Sequence, residues 1–109
     1  MIRSLFWNIR GIRKQIAVSR LIALKQQYNL KLICICEPHV DVSQIVEFQF
    51  KLGYKKVLQN QANRIWVFLD DSLSASIHSQ SDQFLSVKFA HNAFSTKFLV
   101  TFVHAHCTK

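Results

Sequence analysis

Two residues of this chain place a hard oxygen donor where an apolar run gives out. Asn8 closes a run at 2–9 that stops at Gly11, and Glu37 follows a near-continuous apolar run at 32–36. An amide and a carboxylate suit Mg²⁺, which takes one or two protein ligands and fills its shell with water and substrate phosphate. On spacing alone the plainer reading carries more weight: Asn8 as a turn former before Gly11, and Glu37 as a solvated strand end. Other polar pairs are more ordinary. Asp70 and Asp71 sit between two strand-like runs and read as turn formers. His104 and His106 would share one strand face with Cys107 close by, a start for a transition-metal site. His78 and His91 offer no matching spacing to complete it, so the pair reads as polar residues at a strand end.

These residues are useful only if the elements around them bring them together. The run at 2–9 reads as a strand, 13–28 as a helix with Ala17, Leu21, Leu24 and Tyr28 on its apolar face, and 32–36 as a strand buried on both sides. Asn29 suits a left-handed helix end. Strand, helix and buried strand make a βαβ unit, whose strands run parallel and whose C-terminal ends share one sheet edge. Ligands bind at that edge in open α/β sheets, and both Asn8 and Glu37 fall there. A second helix is expected at 42–51, with Asp41 as N-cap and Gly53 just past its end. Runs at 54–58, 64–69, 73–79, 84–89 and 97–106, separated by Asn, Asp, Ser and His, read as an antiparallel meander. In 73–79, Leu73, Ala75 and Ile77 alternate with polar residues, as a sheet with one wet face requires. Trp7, Trp66 and most of the phenylalanines lie inside these runs and read as core rather than as a base-stacking platform.

Composition narrows the class. The chain has 109 residues, half of them apolar, enough for one domain with a real interior. Its 14 basic and 6 acidic residues give a formal charge of +8. Arg3, Arg10, Arg13, Lys14, Arg20, Lys25 and Lys31 all fall within residues 1–36, where there is no acid. A polyanion is the natural partner for such a surface, because phosphates that it neutralises release counterions. A solvated helix face that keeps the protein in solution explains the charge equally well. Three cysteines, two of them inside an apolar run, indicate reduced thiols rather than a disulfide framework. No apolar stretch approaches the length of a membrane span and no leader-like block opens the chain, so nucleus or cytoplasm is expected, without secretion.

The segment Trp7-Asn8-Ile9-Arg10-Gly11, a basic helix after it, and Cys36-Glu37-Pro38 after the second strand resemble the opening of the endonuclease/exonuclease/phosphatase superfamily. More narrowly, with Arg64-Ile65-Trp66-Val67-Phe68 and Val103-His104-Ala105-His106-Cys107-Thr108, the chain resembles the endonuclease domains of plant non-LTR (LINE-type) retrotransposons. The resemblance spans nearly the whole chain in order. It implies an α/β fold: the N-terminal half of a two-sheet sandwich, incomplete, built as a βαβ unit followed by an antiparallel meander. It also implies phosphoester cleavage with Mg²⁺ (or Mn²⁺) and an activated water. Asn8 would hold the metal-adjacent asparagine position and Glu37 the metal-ligand glutamate. At 104 the family usually carries a tyrosine near the phosphate, and His104 stands there as the remaining catalytic candidate. Arg10, Arg13 and Lys14 would contact nucleic acid, DNA more than RNA; His39 receives no role. The family's later motifs, an Asp-x-Asn pair, a further aspartate and a final Ser-Asp-His, fall after Lys109. The chain is therefore expected to be a fragment of a nucleic-acid phosphodiesterase, inactive alone. The alternative is a non-catalytic relic that only binds nucleic acid through its basic first third.

Overall fold

The computed structural model describes residues 2–14, 16–93 and 97–104. Its elements are β1 (Ser4–Asn8), α1 (Ala17–Tyr28), β2 (Leu32–Cys36), a 3-10 turn (Val42–Gln44) leading into α2 (Ile45–Leu52), β3 (Lys56–Gln59), β4 (Ile65–Leu69), β5 (Leu73–Gln80), β6 (Phe84–His91) and β7 (Lys97–Val103). One sheet has the order β1-β2-β4-β3 and a second the order β5-β6-β7. β1 and β2 pair in parallel, as the βαβ reading requires, and every other pair is antiparallel. The fold is mixed α/β, consistent with an incomplete two-sheet sandwich. The meander is divided, however: β3 and β4 join the βαβ sheet, with β4 against β2, and only the last three strands form the second sheet. The reason is burial, since β4 is apolar on both faces and must lie inside a sheet covered on both sides.

Strands β2 and β4 serve two cores at once. Ile33, Ile35, Trp66 and Phe68 face the helices, where they meet Leu21, Phe48 and Leu52. Leu32, Cys34, Cys36, Ile65, Val67 and Leu69 face the second sheet, where they meet Leu85, Val87, Phe89 and Phe102. Each large side chain buried this way contributes roughly 1.5–3 kcal/mol. That places two fully buried strands directly beneath the loops that follow β2 and precede β4.

Helix α1 begins at Ala17 rather than near 13. Ile12 is fully buried and anchors the chain to the core, and the N-cap Ile16 supplies no side-chain hydrogen bond. Without a Ser, Thr, Asp or Asn in this stretch, nothing starts the helix earlier. The left-handed Asn29 ends it (φ 52°), and Leu30 takes the next core position, leaving Tyr28 exposed instead of on the buried face. In the second helical segment Asp41 caps as expected, its carboxylate accepting from Ser43 N at 3.1 Å, although the first turn is 3-10. Gly53 ends it with φ 78°. Not every phenylalanine is core: Phe50 is 86% exposed on α2 and Phe6 51% exposed on β1. The alternation in β5 also fades, with Leu73 buried but Ile77 exposed. Among the described residues no helix is long and apolar enough to cross a membrane.

Candidate functional site

The parallel register sets Asn8 opposite Cys36, so Asn8 and Glu37 leave their strands at the same sheet edge. Beyond the strands the two chains stay joined: Ile9 N donates to Cys36 O (3.1 Å), Gly11 N to Glu37 O (2.8 Å) and Ile12 N to Pro38 O (2.9 Å). From the other side Glu37 N donates to Arg64 O at 2.9 Å, because Ile65 opens the antiparallel β4 opposite Cys36. The backbone of Glu37 is thus held by both neighbouring strands. Around it opens a cavity of about 720 Å³, whose walls include Asn8, Arg10, Glu37, His39, Asn63, Arg64 and His104.

Backbone strain gathers here. Among the described residues five non-glycines have positive φ, and four of them line this cavity: Arg10 (49°), Glu37 (56°), His39 (55°) and Asn63 (56°). A left-handed conformation costs an L-residue roughly 1–2 kcal/mol, so surrounding contacts must impose it. For Asn63 those contacts are explicit. Its amide donates to Val40 O at 2.8 Å and its carbonyl accepts the Trp66 indole N–H at 2.6 Å, tying the loop to the core.

Glu37 is the electrostatic centre of the cavity. Partial desolvation pushes its carboxyl up, but the hydrogen bond from Asn8, followed by the charges of His104, His39 and Arg10, outweighs that and holds it below the ordinary carboxylate value. His104 Nε2 lies 3.7 Å and His39 Nε2 3.9 Å from Oε1, and Arg10 Nε lies 3.8 Å from Oε2. These separations are charge contacts rather than hydrogen bonds. His104 is 9% exposed, and its backbone N–H donates to Gln83 O at 2.7 Å, so the imidazole is built into the wall. Among the described residues no group of three or more His, Cys, Asp or Glu side chains is placed to hold a metal. What is present is one carboxylate with a lowered pKa beside one amide, at the wall of an open cavity. That set fits a hard cation which keeps most of its shell as water and phosphate oxygen.

The expected residues separate into groups. Asn8, Arg10, Glu37 and His104 come together in this cavity. Lys14 lies in a neighbouring one with Trp7 and Arg20. Arg13 turns to α2, where it donates to Gln44 Oε1, pairs with Glu47 Oε2 at 3.2 Å and stacks over the Phe48 ring. Asp70 behaves as a turn former, accepting from Ser72 N at 3.0 Å. Trp66 is buried core, while Trp7 is only half-buried. His106 and Cys107 lie outside the described residues. His39, Asn63 and Arg64 join the cavity although the sequence reading gave them no role. His39 had a signal, two residues beyond Glu37 across Pro38; Asn63 and Arg64 arrive only through the pairing of β4 with β2. No family model matches this chain, and neither does any curated protein.

Proposed function

We propose that this sheet edge binds a divalent cation together with a phosphodiester of nucleic acid, and that the chain is the N-terminal part of an endonuclease-like, Mg²⁺-dependent phosphodiesterase. Asn8 and Glu37 are the protein ligands to Mg²⁺ (or Mn²⁺). Arg10, Arg64, His39 and His104 lie around the carboxylate, within reach of the oxygens of a phosphate bound beside it. The single observation that carries this reading is a carboxylate, held below its ordinary value beside an amide, with arginine and imidazole side chains around it in an open cavity at the C-terminal ends of parallel strands. Such a ring attracts an anion, and the carboxylate at its centre admits a cation to bridge them. DNA is the preferred partner over RNA on the resemblance to retrotransposon endonucleases.

Turnover is not expected from this chain alone. Hydrolysis needs a group to orient or deprotonate the water. Apart from Glu37 the cavity's carboxylate is Asp41, which is taken by Ser43, and both imidazoles are turned to the same Glu37 oxygen that the cation needs. Mn²⁺ titration followed by water-proton relaxation, with and without a thymidine dinucleotide, tests the binding. Wild type should bind Mn²⁺, the dinucleotide should strengthen it, and Glu37→Gln should abolish it. Mn²⁺ binding unchanged by Glu37→Gln would refute the proposal. Plasmid nicking by wild type that an Asn8→Ala, Glu37→Ala double variant lacks would show instead that this chain is an enzyme in its own right.

A further inference from the structure

A second cavity of about 390 Å³ opens beside the first and shares Asn8 and Arg10 with it, so the two meet across the C-terminal end of β1. Its remaining walls come from the helix-side face of β1 and the entry to α1, notably Trp7, Lys14, Ile16 and Arg20. The two cavities differ in charge: the first contains Glu37 and Asp41, whereas among the described residues lining the second none is acidic. They also differ in how their cations are engaged. Arg10 faces Glu37 and Arg13 faces Glu47. Among the described residues Lys14 and Arg20 make no salt bridge or side-chain hydrogen bond, so their charge remains available to an outside anion. Beside them the half-buried Trp7 and the 61%-exposed Ile16 offer an apolar surface. An unpaired basic pair next to an aromatic wall is the combination that holds a nucleotide by phosphate and base face together.

We propose that this cavity seats the nucleotide adjacent to the one held at Glu37. Lys14 and Arg20 take the neighbouring phosphate, and Trp7 with Ile16 takes the flat face of its base. The assignment rests on the phosphodiester reading of the first cavity and deepens it. The ligand is then a polynucleotide segment with at least two consecutive phosphodiesters, unpaired where it crosses β1, since a base held in a duplex presents no free face to Trp7.

The test is equilibrium binding of thymidine oligonucleotides of increasing length in Mn²⁺, to wild type, to a Lys14→Ala, Arg20→Ala double variant, and to Glu37→Gln. A trinucleotide, with two phosphodiesters, should bind wild type about tenfold more tightly than a dinucleotide with one. The double variant should erase that step while leaving dinucleotide affinity within about twofold, a pattern that loss of a phosphate contact produces and diffuse loss of charge does not. For a hexanucleotide its salt dependence should fall by about 0.7 in slope, one phosphate on a single strand. Lys14 and Arg20 are exposed, and an unchanged melting temperature would certify the fold. Three results overturn the inference while sparing the first cavity: dinucleotide binding with no length step, equal loss at both lengths in the double variant, or duplex bound more tightly than single strand and unaffected by the double variant. Failure of the dinucleotide to bind wild type any better than Glu37→Gln refutes the underlying reading, and the inference with it.

Discussion

The two ends of the four-stranded sheet use the same kinds of side chain to opposite effect. At the end where β1 and β2 begin, cations complete the backbone. Lys25 donates to Leu52 O and Gly53 O at 2.8 and 3.0 Å, finishing α2, and sits over the Tyr54 ring. Arg3 reaches Tyr28 O, Lys31 pairs with Asp70, and the Tyr54 hydroxyl donates to Leu30 O at 2.9 Å. At the end where β1 and β2 finish, Arg10, His39 and His104 surround one carboxylate at 3.7–3.9 Å, and Arg10, Glu37 and His39 themselves have left-handed backbones. At the first end Arg3 and Lys25 reach carbonyl oxygens at helix ends and Lys31 a turn carboxylate. The second concentrates an arginine and two imidazoles, at a conformational cost, around an open cavity. Stability explains the first arrangement; the second is the one we propose as a ligand site.

The comparison can be broken most severely from beneath. Trp66→Ala should cost about 3–5 kcal/mol in chemical unfolding, because Trp66 is fully buried between the helices and the sheet. Trp66→Phe should cost much less yet release Asn63, so amide exchange at 63–64 should quicken while the Lys31 end stays protected. Next in size, Tyr54→Phe should cost about 1 kcal/mol, the ordinary worth of its hydrogen bond to Leu30 O, with no change in Mn²⁺ binding. His39→Gly reverses the sign: relief of its left-handed backbone should stabilise the fold by up to about 1 kcal/mol. Loss of stability there would mean that the imidazole matters more to folding than its strain.

The smallest effect is that of pH. Glu37 is held below its ordinary value by Asn8 and its basic neighbours against desolvation, and Asp70 chiefly by the Ser72 hydroxyl. Both pKa values are depressed on folding, so between the folded and unfolded values the unfolded chain binds more protons. Their stabilisation is complete above about pH 5 and is lost as pH falls through the folded values. Glu37→Gln and Asp70→Asn should each flatten part of that acid limb in urea melts; unchanged limbs would contradict the charge contacts described for those residues.

Much of this arrangement was legible in residue order. An apolar run buried on both faces, a helix between two strands and the turn chemistry of Asn29, Asp41, Gly53 and Asp70 all follow from local physics, and together they bring Asn8 and Glu37 to one edge. Long-range pairing is not local. The run at 64–69 is apolar enough to be buried on both faces, but nothing in it names β2 as its partner, so Asn63 and Arg64 could not be placed at the cavity. His104 reaches Glu37 only because β7 pairs with β6 and the two sheets face each other. Arg13 stands apart from the cavity for a different reason: the turn after Ile12 delays α1, and with it the direction of that side chain, which ends on Glu47.

The most direct test of a functional and a structural end is the map of amide broadening by Mn²⁺ in a ¹⁵N-labelled sample. Substoichiometric Mn²⁺ should erase amide signals at 8–11, 37–40 and 63–65 and spare those at 29–31, 53–55 and 70–72, and Glu37→Gln should restore them. Broadening centred on Asp70, or spread evenly over both ends of the sheet, would contradict the assignment of a cation site to Asn8 and Glu37.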